Sequence, residues 1–133
     1  MIAAISGLYD AVAGIVMLAQ RPLFVRLFDL PSPTPAIHAD LNGIFLLAVA
    51  AGYLIPYRDP HSRGGRAYLW TMGPLLKGAG ATAFVLDYVF RHSPASSLLF
   101  AAGDGTLAVF TLWALLTPLS FSASTSTQAR RPR

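Results

Sequence analysis

Four long apolar stretches constrain the fold of this chain more than any other feature of its sequence. They cover residues 2–19, 39–57, 67–90 and 96–119. A membrane hydrocarbon core about 30 Å thick needs about 20 apolar residues per helix, and backbone groups inside it must be paired internally. The stretches are too long for strands and lack a strand's alternation. The sequence therefore predicts an all-α membrane protein, a four-transmembrane-helix bundle formed by residues 1–119.

The overall composition agrees with a lipid environment. Of the 133 residues, 54% are hydrophobic and 12% are charged, whereas roughly a quarter of a soluble domain is charged. The absence of cysteine excludes disulfides, thiolate metal sites, a catalytic thiol and iron–sulfur clusters. The net charge of +4 does not predict a nucleic-acid partner here, because most of the basic residues flank the predicted spans.

The connection between the first two spans contains a short amphipathic segment. Its apolar face holds Phe24, Leu27 and Phe28, and its polar face holds Arg26 and Asp29. This pattern predicts a short helix lying in the membrane interface. An irregular loop with buried aromatic side chains is the alternative.

The distribution of arginine predicts the orientation. Four spans put both termini and the second connection on the same side, and that side holds Arg58, Arg63, Arg66, Arg130, Arg131 and Arg133. The other side holds Arg21, Arg26 and Arg91. The positive-inside rule therefore predicts cytoplasmic termini in a bacterial inner membrane, with residues 120–133 as a flexible basic tail. The first span has no preceding basic residue and contains an aspartate, so we expect a retained helix rather than a signal peptide.

Three charged residues lie inside the apolar stretches, namely Asp10, Lys77 and Asp104. With a rise of 1.5 Å per residue, they lie about 12, 15 and 18 Å from the cytoplasmic side of the membrane. Charges at this depth are costly and normally pair inside the bundle. We therefore predict that the Lys77 ammonium lies between the two aspartates, with Tyr9 or Thr106 nearby.

Small residues support this prediction, because residues three or four positions apart share a helix face. The small neighbours are Gly7, Gly14, Gly73, Gly80, Ala81, Ala101 and Ala108. Such faces allow close helix approach, so each charge should point at a neighbouring helix. Two interpretations stay open: a cluster that only fixes helix register, and a polar pocket that binds a ligand.

A second polar group is predicted at the outer surface. His38, Asp40 and Asn42 open the second span, while Asp87, Arg91 and His92 close the third. The spacing of Asp87 and Arg91 predicts a surface ion pair, and Asn42 is predicted to bond to another helix in the core polar group. A metal site formed by His38, Asp40 and His92 is the weaker alternative, because no single element supplies the ligand spacing.

Several motifs together resemble the small bacterial four-helix membrane proteins grouped as DoxX-like. The motifs are Tyr9-Asp10, the proline-rich first connection, Asn42-Gly43, Arg58-Asp59-Pro60, Lys77 and Gly103-Asp104. The resemblance covers nearly the whole chain. It implies a membrane subunit associated with a quinone-linked redox complex.

The leading functional hypothesis is a non-catalytic accessory subunit or binding module for a quinone- or lipid-like molecule or for a partner helix. It implies membrane lipids, a larger complex or a homo-oligomer as partners. The alternative is a membrane enzyme that uses Lys77 and an aspartate as acid and base on a lipophilic substrate, which requires a cavity of several hundred Å³. A proton or ion pathway is the least favoured, because the charges share one layer of the membrane.

Overall fold

The computed structural model describes residues 1–30 and 32–117, and this part of the chain is helical without strands. The helices are α1 (Ile2–Ala19), α2 (Arg21–Leu27), α3 (Ile37–Gly52), α4 (Leu54–Arg58), α5 (Arg63–Trp70), α6 (Gly78–Arg91) and α7 (Leu98–Leu116). A π-helical segment, Thr71–Lys77, joins α5 to α6, and a short 3-10 turn, Ala95–Ser97, precedes α7. The predicted tail at 120–133 and the end of the predicted fourth span lie outside the described residues.

Three helical stretches are long and apolar enough to cross a membrane, namely Ile2–Ala19, Ile37–Arg58 and Ala95–Leu116. They correspond to the first, second and fourth predicted spans, and they indicate a membrane protein. The predicted third span, 67–90, is part of a longer helical rod over 63–91. The rod begins earlier than predicted because Ser62 caps it, its Oγ accepting a hydrogen bond from the Gly65 N–H at 3.0 Å.

Prolines explain the two irregularities within the long helices. The second stretch changes from α3 to α4 at Tyr53, and Pro56 in the first turn of α4 has no N–H for an α-helical bond to Gly52. In the rod, Pro74 lies in the middle of the π segment. A proline ring clashes with the carbonyl four residues earlier, here that of Trp70. The wider i→i+5 register of a π segment keeps the rod continuous past this proline.

Close approaches of small residues fix how the long helices pack. α1 packs along α3, and a Cβ placed on Gly14 would lie 2.9 Å from the Gly43 carbonyl oxygen. The π segment packs against α7 in the same way, since a Cβ on Gly73 would lie 2.5 Å from Cγ2 of Thr111. These helices approach so closely that only glycine fits at the contact.

The short connection helix α2 packs through aromatic side chains. Phe28 and Phe100 of α7 have ring centroids 4.4 Å apart, and Phe24 lies 5.7 Å from the same ring. Phe84 of α6 stacks on Phe100 from the other side at 5.2 Å. The segment is helical from Arg21 to Leu27, and its place in a membrane interface stays a prediction. Leu27, predicted on the packed face, is the last residue of α2 and is 62% exposed, at the edge of a surface groove that Phe24 and Phe28 also line.

Large apolar side chains cover the outside of the structure. Leu8 on α1, Ile44 on α3, Leu75 in the π segment and Trp113 on α7 are each more than half exposed. Few apolar side chains are buried, and four of them, Ala3, Val49, Leu69 and Leu115, form a cluster with Tyr53 between α1, α3, α5 and α7. An apolar exterior around a small interior is the pattern expected where lipid tails replace water as the solvent.

Candidate functional site

The structure brings Asp10, Lys77 and Asp104 together between α1, the π segment and α7. The Lys77 ammonium nitrogen lies 2.6 Å from Oδ1 of Asp10 and 3.2 Å from Oδ1 of Asp104. The side chains of Asp10 and Lys77 are 1% and 5% exposed, and that of Asp104 is 19% exposed. Charge-assisted hydrogen bonds of this length are the strong kind, and burial removes competing water.

Tyr9 completes the surroundings of the ammonium group. The Lys77 nitrogen lies 4.8 Å from the centroid of the Tyr9 ring, within the range of a cation–π contact. The tyrosine hydroxyl lies against Gly103, where an added Cβ would come within 2.8 Å of its oxygen. Thr106, the other residue expected nearby, is exposed on the outside of α7. It lies two residues after Asp104 and therefore points to a different helix face.

One polar atom of Asp10, its Oδ2, is buried without a hydrogen-bond partner among the described residues. The Ser6 hydroxyl, one turn earlier on α1, and the Tyr53 hydroxyl are also buried and lie near enough to interact with each other. The side chains of Asp10, Ser6 and Tyr53 are 1%, 1% and 2% exposed. Buried polar groups are normally paired, so the unpaired oxygen of Asp10 marks a place where another polar group can bind.

A cavity of about 440 Å³ ends on this cluster. Its polar lining residues are Tyr9, Asp10, Asn42, Lys77 and Asp104. The remaining lining residues are mainly apolar, namely Ala13, Met17, Phe24, Leu30, Phe45, Leu46, Val49, Met72, Leu76, Gly80, Phe84 and Phe100. Small-molecule sites typically have this size and combine apolar walls with a few converging polar groups.

The cavity reaches the surface between α3 and the π segment. α3 packs along α1, whereas α7 packs against the π segment and α6. Within residues 1–30 and 32–117, α3 makes no comparable contact with the π segment or with α6. Phe45 on α3 and Leu76 on the π segment line the cavity and are 49% and 39% exposed. The gap between these two elements therefore forms a side opening in an apolar surface.

The predicted outer polar group divides into separate contacts. Asp87 and Arg91 form the expected ion pair, with Arg91 Nη1 3.1 Å from Asp87 Oδ1. Asp40 is instead paired with Arg21, the first residue of α2, and His38 is exposed. In the described part of the chain, no group of three histidine or acidic side chains could hold a metal ion. His38, Asp40 and His92 are therefore not brought together as the weaker alternative required.

Asn42 lies where α3 borders the cavity, and its side chain is exposed. Among the described residues it does not form the predicted bond to another helix. Its position places an amide at the wall of the cavity. Within the described residues α3 packs along α1 and not against the rod over 63–91, so the rod supplies no partner for this amide.

The sequence did not predict several residues of the site. Ser6 and Tyr53 were missed, although Ser6 lies four residues before Asp10 and therefore shares its helix face. The apolar cavity wall carries no comparable signal, because its side chains resemble those of any membrane helix. The Arg21–Asp40 pair had a signal, since both residues lie at the outer ends of the first two predicted spans.

Comparison of the chain with protein-family models, with curated proteins and with solved structures found no match.

Proposed function

We propose that this chain is a four-span protein of the bacterial inner membrane, with α2 in the interface and both termini in the cytoplasm. Three apolar stretches have the length of membrane spans. The rod over 63–91 supplies the fourth, since at about 1.5 Å per residue it exceeds a hydrocarbon core of about 30 Å. The rod begins with Arg63 and Arg66, which suits a cytoplasmic end.

Within this membrane setting, the protein serves as an accessory subunit or binding module for a lipophilic molecule, of the quinone or lipid kind. One observation carries this proposal: the cavity of about 440 Å³ has apolar walls and ends on the cluster of Asp10, Lys77 and Asp104. A merely structural cluster would need no cavity beside it. The resemblance to DoxX-like proteins favours the same class of ligand and association with a larger membrane complex.

The alternative, a membrane enzyme acting on a lipophilic substrate, has weaker support from the same geometry. A catalytic acid or base must lie within hydrogen-bonding distance of the reacting atom of the substrate. The Lys77 nitrogen is instead directed at two carboxylates and at the face of an aromatic ring. The arrangement therefore suits holding a polar head group better than transferring protons.

Native mass spectrometry tests the proposal directly. The protein is released gently from bacterial membranes and incubated with a total lipid and quinone extract of those membranes. We expect a bound small lipophile on the wild-type chain, and the same spectra report whether the chain is a monomer, an oligomer or part of a complex. A bare monomer would contradict the proposal.

A matched pair of variants locates the binding. Ala13→Phe places a ring in the cavity wall, whereas Ala114→Phe places the same ring on an exposed position of α7. Ala13→Phe should lose the bound lipophile and Ala114→Phe should keep it. Equal retention by both variants would show that the lipophile is bound outside the cavity.

A further inference from the structure

The cluster at the end of the cavity is not electrically balanced. Asp10 and Asp104 supply two carboxylates, and Lys77 supplies the one cation among the described residues that line the cavity. With both acids ionised, the cluster carries a formal charge of −1. Arg21, on the outer side, is paired with Asp40 and does not line this cavity. An uncompensated charge in a low-dielectric interior is costly, and a proton or a bound cation can remove it.

The hydrogen-bonding groups of the cluster that remain free also suit a positively charged ligand. An ammonium group has three donors, and Lys77 directs its nitrogen at Asp10, at Asp104 and at the face of Tyr9. The second oxygen of Asp10 is buried and has no partner among the described residues. Oδ2 of Asp104 lies beside Gly80 at the cavity wall, where an added Cβ would come within 3.3 Å. Of the three charged groups, the two carboxylates therefore have unused acceptor oxygens, whereas the donors of Lys77 are already directed at partners.

We infer that the cavity selects a lipophilic molecule whose head group is a protonated amine. The ammonium group of the ligand donates hydrogen bonds to the free carboxylate oxygens and brings the cluster to neutrality. The apolar body of the ligand fills the cavity and extends to the opening beside Phe45 and Leu76. Ligands with an anionic head group, or with a head group that can only accept hydrogen bonds, should bind more weakly. They would lie against carboxylates and beside a lysine whose donors already have partners. This inference rests on the proposed function and narrows its ligand class.

Three probes that share one apolar body test the inference: 4-pentylbenzylamine, 4-pentylbenzyl alcohol and 4-pentylbenzoate. Binding is measured at neutral pH by titration calorimetry of the full chain in phosphatidylcholine nanodiscs, with empty nanodiscs subtracted. We expect the amine to bind about tenfold more tightly than the alcohol, since a charge-assisted hydrogen bond is roughly twice as strong as a neutral one. The benzoate should bind most weakly.

Asp104→Asn provides the decisive variant, because Asp104 is the more accessible of the two acids and the weaker partner of Lys77. It should remove the preference for the amine by weakening amine binding more than alcohol binding. Asp87→Asn makes the same change in charge on the surface of α6, outside the cavity lining, and should keep the preference.

The outcomes separate the inference from the proposed function. Binding of the alcohol and the amine with equal affinity would overturn the inference and indicate that a proton on one aspartate balances the cluster. Tighter binding of the benzoate would also overturn it, while leaving the cavity as a lipophile site. Failure of all three probes to bind would overturn both.

Discussion

The Lys77 ammonium nitrogen lies 2.6 Å from Oδ1 of Asp10, although 67 residues separate the two in the chain, and both side chains are almost fully buried. Removing one partner of such a pair leaves an uncompensated buried charge, which typically costs about 3–5 kcal/mol. We therefore expect Lys77→Met to lower the free energy of unfolding in mild detergent by about that amount. The triple variant K77M/D10N/D104N should recover most of the loss. If the Lys77→Met protein were as stable as the wild type, the ion pair between Lys77 and Asp10 would not contribute to stability and the prediction would be wrong.

The two aspartates should differ in their importance for stability. Asp10 is nearer to the ammonium group and 1% exposed, whereas Asp104 lies 3.2 Å away and is 19% exposed. Partial exposure screens an ion pair and lowers its value. Asp10→Asn should therefore reduce the melting temperature more than Asp104→Asn, measured in the same detergent at neutral pH. The reverse order would mean that Asp104 is the main partner of Lys77.

The contact between the π segment and α7 predicts a specific sensitivity at Gly73. A Cβ at this position would lie 2.5 Å from Cγ2 of Thr111, and Thr111 is itself buried. Overpacking of this kind costs about 1–3 kcal/mol, so Gly73→Ala should destabilise the protein by that amount in denaturant titrations. Gly64→Ala is the matched control, because no atom lies within 4 Å of an added Cβ there. That change should be neutral or should stabilise α5.

Topology can be tested with single cysteines, because the chain has none of its own. Cysteine is introduced separately at Ser32, His61 and Ala95, which are all exposed. With four spans and cytoplasmic termini, a membrane-impermeant maleimide applied to spheroplasts should label Ser32→Cys and Ala95→Cys, and His61→Cys only after lysis. If the rod does not cross the membrane, Ala95→Cys will behave like His61→Cys.

The meeting of Asp10, Lys77 and Asp104 could be predicted because a buried charge has few acceptable environments. Their depth follows from counting residues along each helix, and the cost of an isolated charge in lipid then requires that they pair. The prediction did not depend on which helices are neighbours. It needed only a common depth and small residues on the same faces.

The cavity could not be predicted, because it depends on contacts that the helices do not make. Nothing in the side chains of α3 indicates that it packs on α1 and stays apart from the π segment. Pro74 indicated an irregularity in the third stretch, but a proline is compatible with a kink, a bulge or a change of helix type. The π register, and with it the position of Lys77 at the end of that segment, depends on tertiary packing.

The positions of the three charges along the chain have a consequence for how the bundle assembles. Lys77 and Asp104 both belong to the C-terminal half, in which α7 packs against the π segment and α6, whereas Asp10 belongs to the N-terminal half with α3. Lys77 can therefore be paired with Asp104 within the C-terminal half alone. The N-terminal half pairs Asp40 with Arg21 but, among the described residues, gives Asp10 no ion-pair partner. Association of helices from the two halves, the second stage of membrane protein folding, is therefore the step that provides Asp10 with its partner.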